Sequence, residues 1–192
     1  MKIKTCLLMF GMTIPSLLFA EPVNALYNGD LTYGAAGWAV LGAESEFVTL
    51  KADEFEQKPA LKIKLSEGGS FRLYSQHPIK IKEGKEYELK ARLRGNGETV
   101  SLGLITYDKE DNHIGYSFAD PVAIPPGETV ELQYVFHAGA QIDHVIVCLQ
   151  FGAWVSEDSV VTLHSGSFDL GQDSLEDAVE WPAQPTFIDS KP

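Results

Sequence analysis

Positive charge is scarce in this sequence. Its 192 residues include 15 Lys and Arg against 27 Asp and Glu, which gives a formal net charge of −12 at pH 7. Proteins bind nucleic acids and anionic membrane surfaces through clustered positive charge. The charge balance therefore predicts neither nucleic acid nor an anionic membrane surface as a partner.

Cysteine is scarce as well, since the chain has only Cys6 and Cys148. Cys6 lies in an N-terminal segment that we expect to be removed, so no disulfide can form within the remaining chain. Cys148 lies in the apolar segment HVIVCLQF, where His144 is the only nearby base in sequence. We interpret Cys148 as a buried core residue, because free cysteine is among the most buried residue types.

Long hydrophobic runs are missing except near the N-terminus. There Lys2 and Lys4 precede an apolar stretch from Cys6 to Phe19, as expected for a cleaved secretory signal. Gly, Thr, Pro and Ser interrupt this stretch too often for a membrane span, which needs about 20 apolar residues. We expect cleavage near Ala20, no membrane span, and a monomer that is secreted, periplasmic or attached to the cell surface.

Motifs of common catalytic sites are also absent. The chain has no G-x-S-x-G, no H-E-x-x-H, no P-loop, no glycine-rich dinucleotide fingerprint and no Cys/His cluster with zinc spacing. We therefore expect a protein without catalytic activity. Glycoside hydrolysis needs only two carboxylates, so the motif search leaves a hydrolase as an alternative.

Short segments that alternate apolar and polar residues fill most of the chain. In LKIKL the apolar residues fall on one face and the lysines on the other, and EYELKARLR repeats the pattern. Segments rich in Gly, Pro and Asn separate the strands at intervals of about eight to twelve residues. The pattern predicts an all-β fold, a two-sheet antiparallel β-sandwich (jelly roll), with one closed barrel as the alternative. The predicted strands are 47–50, 60–65, 71–76, 86–94, 100–107, 129–136, 144–151, 160–164 and 167–170.

The chain divides into three parts. Residues 1–20 are the predicted signal, residues 21–171 the β-domain, and residues 172–192 an acidic C-terminal tail. The tail contains Trp181 and Phe187, which we expect to pack against the domain because large aromatic side chains gain by burial.

Four segments occur in an order that resembles a known family. They are LYNGDLTYGAAGW, KPALKIKL, KIKEGKEYELKARLRG and SGSFDL, with VIVCLQFG before the last. This order resembles the jelly-roll carbohydrate-binding modules of families 4, 9, 16 and 22, which are galactose-binding-domain-like. Thr32 stands where the family usually has an acid, Glu83 replaces the proline of P-G-K, and Asp169 stands alone where a pair is common. The resemblance implies a jelly roll that binds poly- or oligosaccharide.

The resemblance also implies a structural calcium ion. In that fold the first and last strands pair, and the loop beside them often holds calcium. Asp169 would supply a carboxylate, and Thr32 would supply a hydroxyl or its neighbours backbone carbonyls. Asp30 either joins them or shapes the turn together with Asn28. Calcium takes about six to eight oxygen ligands, so it is the expected cofactor, and a turn-stabilising aspartate is the alternative.

Such modules bind sugars with flat aromatic rings and with planar amide or guanidinium groups. If the apolar positions of FRLYSQ face the core, Arg72, Tyr74 and Gln76 lie together on the opposite face. These three residues form the predicted binding stripe.

Four further residues are candidates for ligand contact. The family pattern favours Arg92 as a side chain that points into the cleft. Gln150 shares a strand face with Cys148, Tyr107 ends a predicted strand, and Trp154 lies just past Gly152 in a loop. The alternative for each is an ordinary strand or loop residue that faces water or the core.

We therefore predict an exported, non-catalytic protein that binds carbohydrate in a concave groove by aromatic stacking and hydrogen bonding. A cluster of Tyr74, Arg92, Gln150 and Trp154 would favour this function. An arrangement of Arg and Tyr around His77 would favour a jelly-roll polysaccharide lyase, which uses Arg, Gln, His and Tyr side chains. A flat polar face would favour a structural or protein-interaction role in the cell envelope.

Overall fold

The computed structural model describes residues 24–41, 46–66, 69–152 and 160–170. The predicted signal (1–20), the tail (172–192) and Trp154 lie outside the described residues. Within the described part of the chain, no helix is long and apolar enough to cross a membrane.

The described residues form β-strands connected by turns. The strands are β1 (Trp38–Leu41), β2 (Val48–Phe55), β3 (Lys58–Leu65), β4 (Phe71–Ser75), β5 (Ile79–Lys80), β6 (Glu86–Arg94), β7 (Thr99–Tyr107), β8 (His113–Phe118), β9 (Val122–Ala123), β10 (Thr129–His137), β11 (His144–Phe151) and β12 (Val160–Leu170).

These strands build two antiparallel sheets. One sheet has seven strands in the order β1-β4-β11-β7-β8, with β5 beside β11 and β9 beside β7. The other has five strands in the order β10-β6-β12-β3-β2. The two-sheet arrangement confirms the predicted sandwich.

The core lies between the sheets and follows the period-two pattern of the sequence. Leu61, Ile63 and Leu65 of β3 are buried, whereas Lys62 and Lys64 between them are exposed. The same alternation runs along β4 and β6. Burial of one such aliphatic side chain contributes about 1.5–3 kcal/mol, so the inner faces fix which side of each strand faces solvent.

Some strands differ from the predicted ones. The short β1, β5 and β9 and the six-residue β8 were not predicted, and β2 continues to Phe55 beyond its predicted end. The predicted strands 160–164 and 167–170 form a single strand, β12, whose pairing with β6 shifts between Leu163 and Ser165. A bulge inserts a residue and breaks the alternation, which explains why the sequence suggested two strands.

The N-terminal segment is anchored to β12. Gly166 donates its backbone N–H to the carbonyl of Gly29 at 2.7 Å, and Asn24 Nδ2 donates to the Gly166 carbonyl at 3.0 Å. A Cβ at position 29 would lie 2.3 Å from the Gly166 oxygen, so this approach requires glycine. The two ends of the domain therefore meet next to Asp30.

Candidate functional site

The outer face of the seven-stranded sheet brings together four of the predicted binding residues. Arg72 pairs in register with Gln150, and Tyr74 pairs with Cys148 on the neighbouring strand. Paired residues in antiparallel strands point to the same side. Tyr107, which pairs with His144, lies further along the same outer face.

Arg72 contacts side chains from two other strands of this sheet, β11 and β8. Its Nε donates a hydrogen bond to Gln150 Oε1 at 3.2 Å. Its guanidinium carbon lies 4.6 Å from the ring centroid of Tyr116, which is within cation–π distance. Gln150 and Tyr116 thereby hold the guanidinium between them.

The unpredicted strand β8 adds three rings to the outer face. His113 lies 4.6 Å from Tyr116 between ring centroids, and Tyr116 lies 6.2 Å from Phe118 at an interplanar angle of 16°. Tyr107 makes an edge contact with His113 at 5.8 Å. Tyr116 is 51% exposed, which is unusual for a ring of its size. We call this surface the aromatic face; its rings are Tyr74, Tyr107, His113, Tyr116, Phe118 and His144.

His144 fixes one end of the aromatic face. Its ring is parallel to that of Tyr107, with an interplanar angle of 3° and a centroid distance of 5.2 Å. Its Nδ1 lies 2.9 Å from Asp143 Oδ2, and its Nε2 lies 3.4 Å from Asp111 Oδ1. The hydrogen bond from Lys80, and next that from His144, lower the pKa of Asp143. Burial, followed by the nearby Tyr116, raises the pKa of Tyr107, so this phenol is neutral at pH 7.

Cys148 and Gly103 form the floor of the aromatic face. The two residues pair in register, and Gly103 also pairs with Phe118. A Cβ at position 103 would lie 2.4 Å from a ring carbon of Phe118, so glycine makes room for this ring to lie on the sheet. Cys148 is fully buried, as predicted, although it is on the outer side of the sheet. Its burial raises the pKa of the thiol to about 12.

The remaining predicted binding residues are Arg92, Gln76 and Trp154. The expectation that Arg92 shares a cleft with Tyr74 is wrong, because Arg92 lies in β6 of the other sheet and pairs with Glu131 and Ser165. Gln76 is exposed just past the end of β4. Trp154 lies outside the described residues.

The arrangement around His77 differs from the one expected for a lyase. The His77 ring lies 4.3 Å from the ring of Tyr27, measured between centroids. Arg72 is held by Gln150 and Tyr116. The described contacts therefore place Arg72 and His77 in different groups of side chains.

The predicted calcium ligands lie near the junction of the N-terminal segment with β12. Thr32 donates its hydroxyl to Asp30 Oδ2 at 2.8 Å and its backbone N–H to Oδ1 at 3.2 Å. Asp30 also lines a groove of about 300 Å³ together with Lys90, Arg92 and Glu131.

The described residues do not assemble a complete calcium site there. In the ranges that the structure describes, no group of three His, Cys, Asp or Glu side chains is placed to hold a metal ion. The backbone of Asp169 pairs with Glu88, and its side chain is not among the described ones. Asp30 and Thr32 supply one carboxylate and one hydroxyl, whereas calcium takes about six to eight oxygens. Calcium therefore stays a prediction.

Comparison with solved structures identifies the architecture. TmCBM61 in complex with β-1,4-galactotriose matches with a TM-score of 0.59 and 14% identity, over 77% of this chain and 99% of that one. Modules of families 4, 16 and 22 match as well. The fold is that of a jelly-roll carbohydrate-binding module.

Two larger proteins share this jelly roll as one part of their chains. The CBM22-1–GH10 modules of Clostridium thermocellum xylanase 10B, in complex with xylohexaose, match with a TM-score of 0.58 and 17% identity over 76% of this chain. The enzymatically active domain of tailspike protein 4 of bacteriophage CBA120 matches with a TM-score of 0.59 and 13% identity over 77% of this chain. Our chain spans only 28% and 21% of these two chains. No protein-family model and no curated protein matches the sequence.

On this jelly roll, the aromatic face combines aromatic rings with planar hydrogen-bonding groups. Exposed rings present flat apolar surfaces, and Arg72 and Gln150 present planar hydrogen-bonding groups between them. The sequence carried a signal for the missed rings, because Tyr116 and Phe118 stand two residues apart in HIGYSF. Only the pairing of β8 with β7 shows that they face the same side as Tyr74.

Proposed function

We propose that this chain is an exported, non-catalytic protein that binds poly- or oligosaccharide on the aromatic face. The observation that carries the proposal is the joining of rings from β4, β7, β8 and β11 with Arg72 and Gln150 on one outer surface. The solved structures of TmCBM61 with galactotriose and of the xylanase modules with xylohexaose support the class of ligand.

The binding mechanism follows from the side chains. A sugar ring would stack its apolar C–H surface on Tyr116 or Tyr74, while Arg72 and Gln150 would hydrogen-bond its hydroxyls. Each such contact is weak, and ordering a flexible chain costs entropy. We expect micromolar to millimolar dissociation constants.

Affinity electrophoresis of the purified protein in gels containing xylan, β-1,4-galactan or other neutral polysaccharides tests this proposal. We expect at least one gel to retard the wild-type protein. Tyr74→Ala should lose this retardation, and Tyr33→Ala should keep it. Tyr33 is a suitable control because it is 46% exposed but lies in the N-terminal turns. Unchanged retardation of Tyr74→Ala would move the site elsewhere.

The same mixtures are assayed for new reducing ends and for unsaturated ends. We expect neither. Reducing ends would support the hydrolase alternative, and unsaturated ends the lyase. Absence of both binding and cleavage would favour the envelope-interaction role.

Export has its own test. Mass spectrometry of the protein from the cell exterior or periplasm should find an N-terminus at Glu21. A retained Met1 would contradict the signal and the proposed location.

A further inference from the structure

The outer face of the five-stranded sheet gathers positive charge from three strands. Seven of the fifteen Lys and Arg residues lie on it, because they alternate with the buried residues of β2, β3 and β6. We call this surface the cationic face; its basic residues are Lys51, Lys58, Lys62, Lys64, Lys90, Arg92 and Arg94.

Three of these cations stand in one row across the strands. Lys51 pairs with Lys62, and Thr162 lies between Lys62 and Arg94 in the same register. Neighbouring strands are about 4.8 Å apart, so this row spans about 14 Å from Lys51 to Arg94. All three side chains are exposed, and none forms an ion pair with a described residue.

The acidic residues on the same face neutralise only part of this charge. Glu88 is held by Lys90 at 2.8 Å and by Gln133, and Glu56 lies 3.7 Å from Arg92. Asp53, Glu86 and Glu131 are the other acids that these strands place on this side. Among the described side chains the face carries seven cations and five acids, in a chain whose formal net charge is −12.

An aromatic pair adjoins the end of this row. The β2–β3 turn, in which Glu56 and Gln57 have positive φ, brings Phe55 against the ring of His164 at 3.9 Å. The guanidinium of Arg94 lies 5.3 Å from the Phe55 ring centroid. Burial, and then Arg92, lower the pKa of His164. The imidazole is therefore neutral at pH 7 and adds no positive charge to the face.

We infer that the cationic face is a second carbohydrate site, separate from the aromatic face, and that it binds acidic saccharides bearing carboxylate or sulfate groups. The row of Lys51, Lys62 and Arg94 would pair with the anionic groups, and Phe55 offers a flat apolar surface to a sugar ring. Thr162 supplies a hydroxyl within the row.

The charge pattern favours an acidic glycan over nucleic acid. A protein that binds nucleic acid with a strong salt dependence makes about six to ten phosphate contacts, whereas only three cations stand in one row on this face. The strongly negative remainder of the chain would repel a polyanion of high charge density. An acidic polysaccharide has both anionic groups and apolar ring surfaces, and the cationic face provides a partner for each.

The test compares two double variants of equal charge. Lys62→Gln with Arg94→Gln removes two cations of the row, and Lys82→Gln with Lys85→Gln removes two cations from the turn before β6. Binding to polygalacturonate is measured by calorimetry at about 20 mM and about 300 mM NaCl, because salt screens exposed charges. We expect wild-type binding at low salt that weakens at high salt, a loss of about tenfold in the first variant, and wild-type affinity in the second.

Neutral polysaccharide separates this inference from the proposed function. The Lys62→Gln, Arg94→Gln variant should keep its affinity for neutral glycan, and Tyr74→Ala should keep its affinity for polygalacturonate. Loss of polygalacturonate binding in Tyr74→Ala would place acidic glycan on the aromatic face and overturn the second site. Equal losses in both double variants, no binding at low salt, or tighter binding to duplex DNA or anionic lipid vesicles would also overturn it.

Discussion

The guanidinium of Arg72 lies 4.6 Å from the ring of Tyr116, although β11 and β7 separate the strands that carry these residues. The line between the two side chains crosses the paired residues Cys148 and Gly103. This contact therefore covers the buried thiol.

The first prediction concerns the reactivity of Cys148. Burial raises the pKa of this thiol to about 12, and thiol reagents attack the thiolate. We expect the native protein to react very slowly with Ellman's reagent at pH 8 and Tyr116→Ala to react at least about tenfold faster, because the ring that helps to cover the thiol is gone. Tyr33→Ala is the control, and equal rates in wild type and Tyr116→Ala would show that the contact does not protect Cys148.

The second prediction concerns Gly103. An added Cβ would lie 2.2 Å from the Ser117 carbonyl oxygen and 2.4 Å from the Phe118 ring. We expect Gly103→Ala to lower the free energy of unfolding by about 1–3 kcal/mol through overpacking. Urea denaturation measures this change. Gly115→Ala on β8 is the matched control, since its Cβ would meet no atom within 4 Å, and an equal effect of both substitutions would contradict the steric explanation.

The third prediction concerns stability below pH 7. His164 has a pKa below its ordinary value of 6.5, because burial disfavours its charged form. Between the ordinary and the lowered pKa the unfolded chain binds a proton at this residue and the folded chain does not, so stability falls as the pH falls. We expect the decrease in melting temperature from pH 7.5 to pH 5.5 to be smaller in His164→Gln than in wild type.

The control for this effect is His137→Gln, since the side chain of His137 is 76% exposed. It should show the same decrease as wild type. A His164→Gln variant with an unchanged pH dependence would exclude His164 as the source.

The fourth prediction concerns calcium at the junction of the two chain ends. If Asp30, Thr32 and Asp169 bind calcium, chelation should lower the melting temperature, and added calcium should restore it, because a ligand that binds only the folded state stabilises it. Asp30→Asn should abolish this response. Equal melting temperatures with EDTA and with calcium would show that the protein has no stabilising calcium ion.

The strands were largely predictable from the sequence. The period-two pattern of LKIKL and EYELKARLR predicted β3 and β6 because burial of alternate side chains dominates their energetics. The same rule placed Arg72 and Tyr74 on one outer face. The short strands β1, β5 and β9 were not predicted, because a segment of two to four residues shows too little periodicity.

The composition of the candidate sites was not predictable in the same way. Alternation tells which side of a strand a residue takes, whereas strand order decides which strands are neighbours. Arg92 was therefore expected beside Tyr74 but lies on the opposite sheet. The contact between Tyr116 and Arg72 was not predicted. Net charge likewise sums the charges of the whole chain and does not show on which face each charged side chain lies.

The sequence by itself determined the fold class and the faces of the strands, because these depend on local hydrophobic periodicity. Only the tertiary structure decided that six rings meet on one sheet and seven cations on the other. Both surfaces are assembled from residues far apart in the chain, and their neighbours are set by the pairing of β8 with β7 and of β12 with β3 and β6.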